Sequence, residues 1–254
     1  MNVLPPGTIL QLMYLKERLL RLPVGKFIEI GPGSGEITRL LLEMGWTGRS
    51  YDLEEKTISA LEARFAIDIS QDRFMPVHES YLNIRTEEKV DLVISCMVME
   101  HLDDRLEAEF MKKSAEILKA SGLMIALVPA SPEHWGIEDD IAGHCRRYTR
   151  SSVENLINSN GWKLKHIAGL TFPISNILLP VSNFLVNRSE RQKLALSALE
   201  RTKQSGRRSV KYKTHFPPLL GLLLNKYTLS PFHLLQKIFT DSTRSLVLFF
   251  EATP

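Results

Sequence analysis

Apolar positions recur along the chain with two alternating periods. Ile9, Leu12, Met13 and Leu20 stand at helical spacing, with Lys16 interrupting the stripe; Pro5 and Pro6 precede it and Pro23 ends it, which predicts a helix over 8–22. Phe27 to Ile30 is a short apolar run with an acid, Glu29, near its end; alternating glycines follow, then a helical pattern from Glu36 to Met44 that stops at Gly45. The same alternation predicts strands over Thr47–Asp52, Phe74–His78, Val90–Cys96 and Leu123–Val128, with helices over 54–66 and Asp104–Ala120 between them. A helix from Thr149 or Arg150 to Asn158 and strands over Trp162–Leu170 and Ser245–Glu251 complete the series. Strands alternating with helices in this way predict an α/β fold.

The first strand–turn–helix carries the most chemistry. Gly31, Gly33 and Gly35 let the backbone bend sharply and remove side chains that would hold a ligand away. The free N–H groups at the start of the helix favour an anionic group. A dinucleotide fingerprint begun at Gly31 needs glycine where Glu36 stands, and one begun at Gly33 needs it where Thr38 stands. No Gly-Lys-Ser/Thr follows, so a phosphate loop is excluded as well. The pattern is acid-x-G-x-G-x-G, and an acid beside the turn suits a ligand that carries positive charge. Asp52 and Glu54 lie about 20 residues further on, where doubly wound nucleotide binders place the carboxylate that accepts from two ribose hydroxyls. Asp52, at the strand's end, is the first choice; Glu54 suits the first turn of the next helix.

The glycine stretch resembles motif I of the class I S-adenosylmethionine-dependent methyltransferases. The string from Val90 to Asp104, VDLVISCMVMEHLDD, resembles the fourth strand and following loop of many small-molecule members. The piece Asp140-x-x-Gly143-His144-x-Arg146-Arg147-Tyr148-Thr149 resembles a segment in a subgroup associated with glycan and natural-product pathways. The resemblance covers about residues 25–170 and the final strand. It implies a Rossmann-like, doubly wound, mostly parallel seven-stranded sheet with an antiparallel last strand, and S-adenosyl-L-methionine as cofactor. Glu29, Gly31, Gly33, Gly35, Asp52, Leu53, Glu79, Ser80, Cys96, Met97 and His101 are then the cofactor-binding candidates, with Glu79 or Ser80 at the position that meets the adenine amino group. Met97 and Met99 are pocket candidates or core filler. The long loop after the fifth strand would border the acceptor. His144 leads as general base because imidazole titrates near neutral pH, with His101 as second candidate and Asp140 to orient the base or bind substrate. Trp135, Arg146, Arg147 and Tyr148 are substrate-binding candidates; the alternative is that Asp140 and one of the arginines form a salt bridge that only shapes the loop. The implied activity is methyl transfer to a small-molecule, glycan, lipid or peptide natural-product acceptor by in-line displacement. A module that binds the donor without turnover is the alternative.

Composition narrows the picture further. The chain has 254 residues and 44% hydrophobic content, enough for one large domain or a domain with an insertion. Cys96 and Cys145 form no zinc or redox spacing, so no metal is expected, and a reduced compartment fits. No charged segment followed by an apolar core opens the chain, and no apolar run is long enough to span a bilayer, so a cytoplasmic location is expected. Net charge is +3, but 171–243 carries eleven Lys/Arg against three Asp/Glu. This segment is too long for a hairpin connection and is expected to be a helical cap over the acceptor, with residues 1–170 and 244–254 as the core. Ile174, Ile177, Leu178, Val181 and Leu185 suggest an apolar helical face, and the stretch from Arg188 to Lys213 is basic. A solvated basic face over a cap core is the simpler reading, peripheral contact with a membrane surface the alternative. Nucleic acid is disfavoured, because no stacking aromatics interleave the basic run.

Overall fold

The stretches Val90–Cys96 and 123–128 form central strands because they are apolar enough to be buried on both faces, as inner parallel strands require. The computed structural model describes residues 3–85, 88–197, 200–202 and 216–254. In chain order its elements begin with α1 (Pro6–Leu19), β1 (Lys26–Ile30), α2 (Glu36–Glu43), β2 (Thr47–Asp52), α3 (Glu55–Arg64), α4 (Ala66–Ser70), β3 (Phe74–His78) and β4 (Val90–Cys96). They continue with α5 (Asp104–Ile117), β5 (Leu118–Pro129), α6 (Ile137–Ala142), α7 (Arg150–Ser159) and β6 (Lys163–Leu170). Helix α8 (Ile174–Glu190), a helix over Ser230–Ile238, here α9, and β7 (Val247–Thr253) follow. The seven strands make one sheet of order β3-β2-β1-β4-β5-β7-β6, with β7 antiparallel.

Parallel pairing runs continuously from β3 through β2, β1 and β4 to β5. Because β1 lies between β2 and β4, the crossover after β1 and the one leading to β4 run to opposite sides. That is the topological switch where open α/β sheets bind ligands, beyond the carboxyl ends of the strands. Gly31 follows β1 there, Leu53 follows β2 and Met97 follows β4.

The chain divides into two compact units. One comprises 23–128, 150–167 and 249–254; the other comprises 1–22, 129–149 and 168–248. Relative to a core of 1–170 plus 244–254, the structure thus groups α1 and the loop after β5 with the insertion. Part of the basic stretch from Arg188 to Lys213 lies outside the described residues.

Several boundaries differ from the sequence pattern for identifiable reasons. The helix expected to reach Ala120 ends at Ile117, and β5 starts at Leu118, which pairs with Val90 before an irregularity in register; Lys119 Nζ then meets Asp91 Oδ1 at 2.7 Å. The helix expected over 54–66 breaks at Phe65, whose ring packs edge-on against Phe74 with centroids 5.3 Å apart. In α1 the buried face is Ile9, Leu10, Tyr14, Leu15 and Leu19, while Leu20 lies past the helix end and is exposed. Lys16 is exposed because it falls off that face.

In the second unit, α1, α9 and the chain after β6 are joined by one buried amide. Gln236 Oε1 accepts the Thr171 N–H at 3.0 Å; its Nε2 donates to the Leu10 carbonyl at 3.0 Å and to His233 Nδ1 at 2.7 Å. His233 Nε2 then donates to Glu17 Oε1 at 2.8 Å. Gln236→Leu leaves the Thr171 N–H and His233 Nδ1 without those partners in the interior, at roughly 1–3 kcal/mol per group. The variant is expected to lose about 2–4 kcal/mol in urea unfolding; an unchanged midpoint would show that the relay carries no stability.

Candidate functional site

The glycine turn is shaped by backbone that only glycine adopts cheaply. Gly31, Gly33 and Gly35 have φ of +66°, +53° and +79°. Space closes two of these positions again: a Cβ on Gly31 would lie 2.5 Å from Val98 Cγ2, and one on Gly35 would lie 2.7 Å from Leu61 Cδ2. The Gly31 N–H donates to the Tyr51 carbonyl of β2 at 3.0 Å, and Gly35 N–H donates to Pro32 at 2.8 Å. From α3 the Arg64 guanidinium holds the Ser34 carbonyl and meets Glu36 Oε1 at 2.8 Å, bracing the far side of the turn.

Glu29 is placed differently from a charged strand tip facing a ligand. It is 2% exposed, and its Oε2 accepts from Thr38 Oγ1 of α2 and from Ser50 Oγ of β2, the latter at 2.8 Å. Burial outweighs those hydrogen bonds and pushes its carboxyl up to about 7. Glu29 therefore fastens β1 to the two elements that flank the turn, and near neutral pH much of it is protonated.

Asp52 is the more accessible acid. Half-buried at the end of β2, it accepts the Glu54 N–H at 2.8 Å; burial raises its pKa despite that bond. Leu53 beside it is exposed, and its carbonyl accepts from His78 Nε2 at 3.1 Å. After β3, Glu79 is exposed and Ser80 half-buried. Cys96 closes β4, and burial pushes its thiol up to about 12, which disfavours the thiolate near neutral pH. Met97 has φ +56°, a strained setting for a side-chain-bearing residue, and its N–H donates to the Leu127 carbonyl at 2.8 Å. In the turn that follows, Met99 and Glu100 are fully buried and His101 is half-buried, so Met99 is core rather than pocket. All the expected cofactor-binding residues thus fall in the first unit, and all but Glu29 lie at or just beyond the strands' carboxyl ends.

The loop after β5 belongs to the second unit, and it is folded. Helix α6 begins after Gly136, whose N–H donates to Asp139 Oδ2 at 2.8 Å. Asp139, the third residue of the helix, has a completely buried carboxylate. Arg147 grips it with two bonds, Nε to Oδ1 at 2.8 Å and a terminal nitrogen to Oδ2 at 3.0 Å, and also binds the Ala130 carbonyl at 3.0 Å. His144 Nδ1 lies 2.8 Å from Asp139 Oδ1. Burial works to raise the Asp139 pKa, but His144, Arg147 and the Gly136 N–H together hold it at about 2.

A family model described as a methyltransferase domain matches residues 10–167. The chain belongs to the methyltransferase domain family. No curated protein sequence matched. Among solved structures, the glycopeptide N-methyltransferase MtfA is similar over 99% of this methyltransferase and 91% of its own chain, at 12% identity and a TM-score of 0.55. Magnesium protoporphyrin IX methyltransferase (ChlM) from Synechocystis PCC 6803, solved with bound SAH, is similar over 65% of this chain and 77% of its own, at 14% identity and a TM-score of 0.54. The methyltransferase domain of bacterial CtHen1 aligns over 65% and 90%, at 18% identity and a TM-score of 0.53. At these identities the likeness is one of fold.

Within this methyltransferase the loop residues divide sharply. Asp140, expected to orient His144, is exposed and instead accepts from Trp135 Nε1 at 3.0 Å; Asp139 is the orienting acid. Helix phase decides between them, since the third position of α6 turns its carboxylate back onto the Gly136 N–H. Arg147 is committed to Asp139 and Ala130, so the loop-shaping salt bridge exists with Asp139 in place of Asp140, and Arg147 is not presented to a substrate. Tyr148 is buried, with its backbone bridging to Ala130. Trp135 is exposed and Arg146 half-buried. Three adjacent acids, Glu138 to Asp140, hid Asp139 in the sequence; the available signal was its place three residues after a glycine that can start a helix.

The raised Glu29 pKa has a definite pH signature. The folded state binds the proton more tightly than the unfolded chain does, so this contribution to stability is complete below pH about 4.5 and declines as pH rises towards 7. Glu29→Gln keeps an acceptor for Thr38 and Ser50 without a charge. Its stability relative to the parent protein is expected to rise by about 3 kcal/mol between pH 4.5 and 8 in denaturant titrations. A constant difference across that range would show that folding does not raise the Glu29 pKa.

Proposed function

We propose that the protein transfers the methyl group of S-adenosylmethionine to a small-molecule, glycan, lipid or peptide natural-product acceptor by in-line displacement. The observation that carries the donor is the pairing of a side-chain-free, left-handed turn after β1 with the Asp52 carboxylate at the end of β2. Bare backbone admits a ligand closely, and a single carboxylate satisfies a vicinal diol. The glycopeptide N-methyltransferase MtfA, similar in fold, is described in complex with (S)-adenosyl-L-methionine. When bound, the donor supplies a methyl carbon already activated by its sulfonium.

This chain's own residues then have positioning work. In this reading the Gly31–Gly35 turn and the start of α2 receive the amino-acid end, whose carboxylate suits free helix N–H groups. Asp52 holds the ribose, and Glu79 or Ser80 meets the adenine edge, with Leu53, Cys96 and Met97 walling the nucleoside. Glu29 keeps the turn in place from beneath, by its bonds to α2 and β2. Orientation and exclusion of water supply most of the rate enhancement, because the methyl carbon needs no further activation.

The loop after β5 is proposed to serve the acceptor. Asp139 is an ionised acceptor, so the proton of neutral His144 sits on Nδ1 and the basic lone pair on Nε2. A hydroxyl acceptor would lose its proton to that atom as the oxygen attacks; an amine or carboxylate acceptor would need no strong base. Trp135 and Arg146 remain the acceptor-contact candidates, and His101 is the alternative base.

Calorimetry with S-adenosylmethionine and its demethylated product tests the donor site. Gly33→Trp is expected to abolish binding, and Asp52→Ala to weaken it roughly 10–100-fold, the worth of hydrogen bonds to a charged group. Full affinity in both variants would remove the turn from the site. Methyl-labelled donor with fractionated small-molecule and lipid extracts tests turnover. Label is expected in an extracted compound, and none across all fractions would favour a donor-binding module. With a hydroxyl acceptor so found, His144→Ala is expected to lower kcat on the order of 10²–10⁴-fold at unchanged donor affinity. Equal turnover would strike His144 from the catalytic residues.

A further inference from the structure

In the unit that contains α8 and α9, apolar side chains are spent on the surface. Of the nineteen exposed large hydrophobic side chains among the described residues, thirteen fall between Ile177 and Phe239, so the exposure is local to the insertion and not general. Single exposed leucines need no explanation, but a concentration of them does. On α8 they follow the helix: Ile177, Val181 and Phe184 are 69%, 58% and 64% exposed, and at 3.6 residues per turn they lie within about 60° of one another. Arg188, four residues beyond Phe184, falls in the same arc and is exposed. Arg191, one turn of chain later, is exposed as well.

A second exposed group lies after Pro217. Leu222, Leu223 and Tyr227 are 73%, 65% and 77% exposed, and Lys226 Nζ sits 5.1 Å from the Tyr227 ring centroid. Lys193 and Lys237 are held by Glu190 and Glu17, whereas among the described residues Arg188, Arg191 and Lys226 have no acidic partner. No described helix is long and apolar enough to cross a membrane.

We infer that the insertion docks on an anionic lipid bilayer surface through these two exposed groups. The apolar stripe of α8 and the Leu222–Tyr227 turn enter the headgroup boundary, while Arg188, Arg191 and Lys226 meet lipid phosphates. Apolar stripes flanked by arginine and lysine are the chemistry of interfacial helices, and an aromatic ring beside a cation suits the same depth. Charge decides between this occupant and a second copy of the chain. Self-association would bring the unpaired cations of the two copies together, whereas an anionic surface neutralises each of them. This inference does not depend on the donor site, because docking requires no methyl transfer.

Co-sedimentation of the full chain with vesicles tests it, using phosphatidylcholine alone and phosphatidylcholine with phosphatidylglycerol. The protein is expected to pellet with the anionic vesicles and to remain in solution with the neutral ones. L222D/L223D is expected to abolish pelleting. R188E/R191E, which alters exposed charges alone, is expected to weaken it roughly tenfold or more, with wild-type binding falling as salt rises. Circular dichroism checks that both variants are folded. No pelleting on anionic vesicles, or pelleting untouched by both double variants, would overturn the inference. So would a dimer in sedimentation velocity that L222D/L223D dissolves, which would give the face to a second copy.

Discussion

The turn after β1 depends on a carboxyl group that a ligand does not need to touch. Glu29 joins three elements at one oxygen: its own strand, Thr38 of α2 and Ser50 of β2. Both hydroxyls are fully buried, so an aliphatic residue at 29 would strand two donors in the interior. The turn itself has little regular hydrogen bonding; Gly31 leans on the Tyr51 carbonyl of β2, and Arg64 pins Ser34 from α3. Where the bare backbone sits is therefore decided by how β1, α2 and β2 are fastened together. The cost is a carboxyl held out of water and pushed up to about 7. At neutral pH it offers a cation less than a full negative charge, and Asp52, which is nearer to solvent, is the acid better placed to act on a ligand.

How much of this was legible follows from which signals are local. The strand–turn–helix at 27–44, the run Val90–Cys96 and the final strand could be read directly, because strands covered on both faces are apolar whatever their neighbours are. The start of β5 could not. Lys119 to Gly122 carry no strand pattern, and they extend the strand only because Leu118 finds Val90 across the sheet. The break between α3 and α4 likewise comes from a ring, Phe65, that packs on a residue nine positions away in the next strand. Glu29 was legible as an acid beside the turn and illegible as a buried one, since alternation in a doubly covered strand does not say which side chains reach solvent.

The loop after β5 shows the same limit at the level of chemistry. Its residue types were conspicuous, two histidines, an arginine pair and four acids within seventeen residues, but their pairing was not. With the stretch read as irregular, Asp140 stood nearest to the family segment. Once 137–142 is helical, the acid at the third position faces inward and its neighbour faces water. The buried pair of Asp139 and Arg147 then has its own logic. Taking both charges out of water is costly, and it is tolerable here because each carboxylate oxygen and three guanidinium nitrogens find partners at 2.8–3.0 Å. Such a pair adds little net stability and much definition. The carboxylate that Arg147 fixes also meets His144 Nδ1 at 2.8 Å, so the same pair sets the place of the ring.

The insertion obeys a different economy from the rest of the chain. Elsewhere the large apolar side chains are mostly spent on the core, and β4, β7 and the later part of β5 are buried almost throughout. Among its described residues the insertion buries two large apolar side chains, Val186 of α8 and Leu229, the latter with Ile9 and Leu10 of α1, and leaves the outward arc of α8 in water. A segment under selection for packing alone would carry polar residues on that arc, as α5 does at Arg105, Glu109 and Lys112. One selected for solubility alone would pair or scatter its cations. Arg188 sits instead in line with Ile177, Val181 and Phe184, so charge and apolar surface were placed together on one helix face. That coincidence is costly in free solution and useful at an interface whose outer layer is anionic and whose interior is apolar.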